Sequence, residues 1–154
     1  MTDRSATRHA AMCDALKAGL NSGAAVRIVV RGASMRPFLW DREVVRIVPL
    51  RNDFPRRGEI VLVRTQGGAA LHRILRTDEA RSEVETKGDG VRWADPPVPL
   101  TAIIGRADAV LRHGGWVSLT RPWRRLLGRF VSEFISPIQP LRTLARRLVR
   151  TPSL

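Results

Sequence analysis

The sequence is short of several kinds of residue, and each shortage excludes a class of protein. Its 154 residues include no Tyr, one Cys, three His and 14 acidic residues. A single Cys excludes a disulfide framework and any Cys-rich zinc site. No apolar run approaches the ~20 residues that span a bilayer, and residues 1–20 lack the continuous apolar core of a secretory signal. We therefore expect no transmembrane anchor, no signal peptide and a cytoplasmic location.

Lysine is also nearly absent. Of the 27 basic residues, 25 are Arg, and Lys17 and Lys87 are the two exceptions. Arg stays protonated in proteins and cannot act as a general base, whereas Lys can. Any chemistry that needs a lysine base is therefore confined to these two positions.

The basic excess that is present lies mostly at the C-terminal end. The formal net charge is +13, and residues 121–154 supply +7 of it, with eight Arg against the single acid Glu133. An excess of this kind is typical of proteins that contact a polyanion, either nucleic acid or an anionic membrane. Because more than half of it lies in one segment, the charge bears mainly on the role of that segment.

The pattern of apolar residues predicts a mainly β protein with helical ends. Residues 5–20 read as a short helix, which the turn residues at 21–23 end. Short β-like runs follow, separated by Gly and Pro, at 26–30, 43–48, 59–64, 70–75, 82–86 and 101–111. Strands at this spacing predict a compact, mostly antiparallel β domain.

Beyond Gly115 the periodicity becomes helical. From Trp123 to Ile135 apolar residues recur on one helical face, and the pattern resumes after a Pro-containing break at 136–140. The sequence thus predicts three parts: an N-terminal helix at 1–24, a β domain at 25–116 and a basic, amphipathic helical tail at 117–154.

Two arrangements of the tail fit this pattern. Its apolar face carries Trp123, Phe130 and Phe134 beside Arg, as in helices that lie in anionic membrane interfaces. The same face could instead cover the β domain or a partner subunit. We therefore expect either a peripheral contact with an anionic membrane through residues 117–150 or packing against protein. Nucleic acid is a less favoured partner, because no recognition motif is present.

Four short stretches in the β region carry residues suited to chemistry. They are GASMRP at 32–37, RGEIV at 57–61, LHRI at 71–74 and TKGD at 86–89. Each stretch alone has an ordinary structural interpretation, because Ser34 between Gly and Pro fits a turn and His72 fits a β-strand. Their order and spacing together are a more specific signal.

As an ordered set, the four stretches resemble the signal peptidase I superfamily of serine endopeptidases, over roughly residues 26–106. That family has Gly-x-Ser-Met-x-Pro at its nucleophile, Gly-Asp-(Ile/Val)-Val in a later strand, a strand with the general base, and then a Gly-Asp motif. The resemblance implies a signal-peptidase-like β domain with Ser34 as nucleophile. Glu59 stands where the family has Asp, and Asp41-Arg42 where it commonly has Gly-Asp.

The base position distinguishes branches of the family. Bacterial-type members have Lys there, whereas the endoplasmic-reticulum and archaeal-like branch has His. This sequence has His72 at that position and so resembles the second branch. That branch has an acid a few residues beyond its Gly-Asp motif. The resemblance gives this role to Asp95, with Asp89 in support, and which carboxylate contacts His72 stays open.

The implied chemistry has a direct physical basis. An imidazole, with an ordinary pKa of ~6.5, can take the Ser34 proton in the transition state and return it to the leaving amine. A carboxylate fixes the tautomer of the ring and stabilises the imidazolium. The backbone N–H of Ser34 would meet the oxyanion. The resemblance further implies cleavage of a leader or signal segment from a precursor protein or peptide after small residues, without a cofactor or metal.

A second hypothesis treats the β domain as a non-catalytic binding module. In it, the Arg-rich tail would contact an anionic membrane or nucleic acid. Repressor relatives of the family carry a separate helix-turn-helix domain, for which residues 1–25 are too short. The sequence therefore favours the peptidase.

Overall fold

The computed structural model describes residues 3–50 and 54–120 of the chain. It contains one α-helix and an antiparallel sheet of eight strands, which confirms the prediction of a mainly β fold. The helix α1 spans Asp3–Asn21. The strands are β1 Val26–Val29, β2 Val44–Val48, β3 Ile60–Thr65, β4 Gly68–Asp78, β5 Glu83–Lys87, β6 Val98–Pro99, β7 Ile103–Arg112 and β8 Gly115–Ser118.

The strand order is β1-β2-β7-β3-β4-β5-β6, and β8 pairs with β7. The predicted runs correspond to β1 to β5 and β7, whereas β6 and β8 are additional. β8 forms a hairpin with β7 through His113 and Gly114, which both have positive φ, as tight hairpin turns require. β8 extends to Ser118, two residues past the predicted domain boundary at 116. Of the predicted helical tail at 117–154, residues 117 and 118 belong to β8, and residues 121–154 lie outside the described residues.

The helix α1 shares the main hydrophobic core with the sheet. Its Cys13 and Leu20 are buried in one cluster with Val45, Ile47 and other strand residues. Gly105 in β7 lets the helix approach closely, because a Cβ there would lie 2.8 Å from Leu20 Cδ1. The predicted N-terminal unit is therefore packed on the sheet. Within the described residues, no helix is long and apolar enough to cross a membrane.

The central strand β3 is buried on both faces. Ile60 and Leu62 belong to the main core, whereas Val61 belongs to a second cluster with Ile74 and other residues. His72 pairs directly with Val61 and so lies on the face of this second cluster. This face carries the candidate site.

Candidate functional site

The candidate nucleophile lies in the loop between β1 and β2. Met35 and Leu39 are buried in the main core and anchor this loop, while Ser34 is exposed between β1 and these anchors. The Gly32 amide donates to Asp41 Oδ1 at 2.8 Å and closes the loop at its base. The loop thus presents Ser34 to solvent on a well-held backbone.

His72 in β4 forms the centre of a hydrogen-bonded group. Its Nδ1 lies 2.5 Å from Asp95 Oδ2, and the Thr86 hydroxyl donates to the same oxygen at 2.8 Å. The chain after β5 returns to the sheet at this point, because the Asp95 amide donates to the Thr86 carbonyl at 2.8 Å. A neutral ring that donates from Nδ1 has its lone pair on Nε2, as a general base requires.

The charge of Asp95 is stabilised by this group. Burial alone would raise the pKa of the Asp95 carboxyl, but the hydrogen bonds from His72 and Thr86, together with the His72 charge, outweigh it and hold the pKa below its usual value. Asp95 is therefore an ionised acceptor at neutral pH, and it can stabilise a positive charge on the His72 ring.

Asp89 occupies a different environment. Its Oδ1 and Oδ2 accept from Arg73 Nε and Nη2 at 2.7 and 2.6 Å, and both side chains are buried. Arg73 also donates to the Gly58 carbonyl at 2.8 Å, and its guanidinium lies 4.9 Å from the centroid of the Phe38 ring. Of the two carboxylates left open by the sequence, Asp95 is thus the one in contact with His72, while Asp89 anchors Arg73.

Gly88 brings the Ser34 loop to the face of His72. Continuing the β4–β5 register by one residue beyond Arg73 and Lys87 places Gly88 opposite His72. A Cβ on Gly88 would lie 3.1 Å from Ser34 Cβ and 2.5 Å from the Ser34 carbonyl oxygen. Ser34 therefore packs against the end of β5, the strand that pairs with the strand of His72.

A backbone bond fixes this approach, because the Gly90 amide donates to the Ser34 carbonyl at 2.8 Å. Across residues 3–50 and 54–120, the Ser34 hydroxyl and amide make no hydrogen bond, and none joins Ser34 to His72. Contacts between a nucleophile and its base are often loose before substrate binds, and they tighten in the reacting complex.

Lys87, which lies inside the TKGD stretch, is directed away from His72. It lies directly opposite Arg73 in the register, so its side chain leaves the other face of the sheet. Burial lowers the pKa of its ammonium group, and the nearby Asp89 opposes this effect. Within the described part of the chain, no group of three or more His, Cys, Asp or Glu side chains could hold a metal ion.

Two residues of this site received no role from the sequence. Thr86 and Arg73 stand inside the quoted stretches at 86–89 and 71–74, but only the fold shows that each binds a different aspartate.

Comparison of the chain with models of known protein families gives no match, and comparison with curated proteins gives no significant match.

Proposed function

We propose that this chain is a serine endopeptidase of the signal-peptidase-like type, with Ser34 as nucleophile and His72 as general base. The observation that carries the proposal is the His72–Asp95–Thr86 group, on the face of the sheet where Gly88 admits the Ser34 loop. An ionised carboxylate that holds one ring nitrogen of a histidine near an exposed serine is the arrangement that nucleophilic acyl transfer needs.

The proposed reaction proceeds in two steps. Ser34 Oγ attacks the scissile carbonyl carbon while His72 Nε2 takes the hydroxyl proton, and the imidazolium then gives this proton to the leaving amine. Water, activated by the same nitrogen, hydrolyses the acyl-enzyme and restores the serine. Asp95 keeps the Nδ1 proton in place and stabilises the imidazolium. The backbone N–H of Ser34 donates to the oxyanion. Gly32, two residues earlier, has no side-chain hydroxyl that could add a second hydrogen bond.

The position of Ser34 also favours an extended substrate. The preceding strand, β1, is at the edge of the described sheet. Edge strands accept an added strand through their unpaired backbone groups, and this fixes the scissile bond relative to the nucleophile. Cleavage after small residues, in removal of a leader or signal segment, is what the family resemblance implies for this substrate.

The test is cleavage of a precursor that carries an Ala-x-Ala site, followed by mass spectrometry. We expect the purified chain to cut the precursor, and Ser34→Ala and His72→Ala each to abolish cutting, because nucleophile and base act as a unit. Ser22→Ala and His113→Asn serve as matched controls. Ser22 bonds the Gly19 carbonyl at the helix end, and His113 is exposed in the β7–β8 turn, so both variants should keep the wild-type rate.

An unchanged rate in either site variant would refute the proposal. Tight, steeply salt-dependent binding of duplex DNA or anionic vesicles without any cleavage would favour the binding-module alternative instead. Contact of the basic tail at 117–150 with an anionic membrane remains a separate proposal, which locates the enzyme rather than defines its chemistry.

A further inference from the structure

Thr86 holds Asp95 from two sides. Its hydroxyl donates to Asp95 Oδ2 at 2.8 Å, and its carbonyl accepts the Asp95 amide at 2.8 Å. The second bond ties the chain around Asp95 to the end of β5, and the first fixes the rotation of the carboxylate. Thr86 therefore sets both the position and the direction of the group that contacts His72.

Thr86 is itself held rigidly. Its side chain is buried, and it lies directly opposite Ile74, a member of the second core cluster. A β-branched side chain packed in this way has a restricted χ1 angle, so its hydroxyl is aimed before the substrate binds. Arg73 and Lys87, the neighbouring cations on β4 and β5, leave the other face of the sheet.

Two donors converge on one oxygen. Asp95 Oδ2 accepts from both His72 Nδ1 and Thr86 Oγ1, and its two lone-pair directions suit two donors. If the hydroxyl is removed, the carboxylate can rotate about χ2 and move off the ring. We propose that Thr86 is a positioning residue of the peptidase, which acts through Asp95 to keep the His72 ring in its basic tautomer and orientation. This inference rests on the proposed function.

The experiment compares Thr86→Val with Thr86→Ser. Val keeps the shape of Thr without the hydroxyl, whereas Ser keeps the hydroxyl. We expect Thr86→Val to lower kcat about tenfold, as expected for loss of one hydrogen bond to a charged group, while KM stays unchanged. Thr86→Ser should recover most of this loss. Thr77→Val, an exposed position on β4, is the matched control and should behave as wild type.

A second readout does not depend on turnover. In the wild-type chain the His72 Nδ1 proton should give a downfield proton resonance coupled to ring nitrogen in ¹⁵N-histidine NMR. Thr86→Val should shift or broaden this resonance, whereas Thr86→Ser and Thr77→Val should leave it in place. An unchanged resonance in Thr86→Val, or equal losses of kcat in the Val and Ser variants, would overturn the positioning role.

The two proposals fail in different ways. If Ser34→Ala cuts the precursor as well as wild type, the peptidase assignment is wrong whatever Thr86 does. If Ser34→Ala and His72→Ala abolish cutting but Thr86→Val keeps the wild-type kcat and resonance, the peptidase stands and the role of Thr86 is wrong.

Discussion

Two aspartates six residues apart, Asp89 and Asp95, each bind a basic side chain, but the two pairs differ in their partner and in their exposure. Asp89 binds the Arg73 guanidinium through both oxygens, and the two side chains are 0% and 3% exposed. Asp95 contacts His72 through one oxygen, and the exposures there are 35% for the aspartate and 12% for the histidine. The first pair is fully buried, and the second is partly exposed.

This difference gives the two pairs different capacities, because only the pair with histidine can take part in proton transfer. A guanidinium stays protonated, so the Arg73–Asp89 pair can hold the Gly58 carbonyl and the Phe38 ring in place but cannot transfer a proton. An imidazole can gain and lose a proton near neutral pH, and it needs one nitrogen free for a substrate. The proposed site therefore depends on the less buried pair, while the buried pair holds the Gly58 carbonyl and the Phe38 ring.

The largest effect should follow from Asp95→Asn. An amide at this position can present its NH₂ group to His72 Nδ1, which favours the wrong ring tautomer. In peptidases with a Ser-His-Asp triad, this change lowers kcat by about 10⁴-fold. We expect a loss on the order of 10³ to 10⁴ in kcat, measured on the precursor. The urea midpoint should fall modestly, because the lowered pKa of the Asp95 carboxyl means that its charge adds some stability at neutral pH.

Asp108→Asn offers a control for removing an aspartate charge elsewhere. Asp108 pairs with Arg46 on the strands β2 and β7, away from His72, so its loss should leave kcat unchanged. If Asp95→Asn retained kcat within threefold of wild type, Asp95 would not orient the base.

The next largest effect concerns stability. Arg73→Met leaves the buried Asp89 carboxylate without its bidentate partner, and breaking a buried pair in this way costs about 3–5 kcal/mol. We expect urea unfolding to show a loss of that size, with kcat per folded molecule reduced far less than in Asp95→Asn. Adding Asp89→Asn to Arg73→Met should recover part of the stability, because it removes a buried carboxylate charge that has lost its bidentate partner.

Arg76→Met on the same strand is the matched control. Arg76 is exposed, and its replacement should change the free energy of unfolding by no more than about 0.5 kcal/mol. A stability loss below about 1 kcal/mol in Arg73→Met would mean that the buried pair does not support the domain.

The sequence alone predicts the strands better than their assembly. Short β-like runs between Gly and Pro are sufficient to predict β1 to β5 and β7. β6 has two residues and β8 has four, so neither carries enough periodicity to stand out. The packing of α1 on the sheet is set by the approach of Leu20 to Gly105, a contact between residues far apart in the chain.

The same limit applies to the site. The family resemblance carried by the four ordered stretches implies Ser34 and His72 and names both aspartates. It cannot choose between Asp95 and Asp89, because the choice depends on where the chain after β5 returns to the sheet, through the Asp95 amide and the Thr86 carbonyl. Thr86 lies in the TKGD stretch, but the sequence does not show which group its hydroxyl binds, so it assigns this residue no role.

A smaller and more specific effect should follow from Gly88→Ala. This variant tests whether the position of the Ser34 loop matters for the reaction that the His72–Asp95 pair is proposed to support. The new Cβ would lie 2.5 Å from the Ser34 carbonyl oxygen and even closer to Val91 Cγ2, so the Ser34 loop or the chain at Gly88 must shift. A displacement of about 1 Å at a reacting group can cost 10²-fold in rate, whereas overpacking costs only about 1–3 kcal/mol of stability. We therefore expect Gly88→Ala to remain folded while kcat falls by up to about a hundredfold.

Gly67→Ala, in the β3–β4 turn with no atom within 4 Å of the new methyl group, is the matched control and should keep both stability and rate. A Gly88→Ala chain with the wild-type kcat would mean that the close contact between Gly88 and the Ser34 loop does not position the nucleophile.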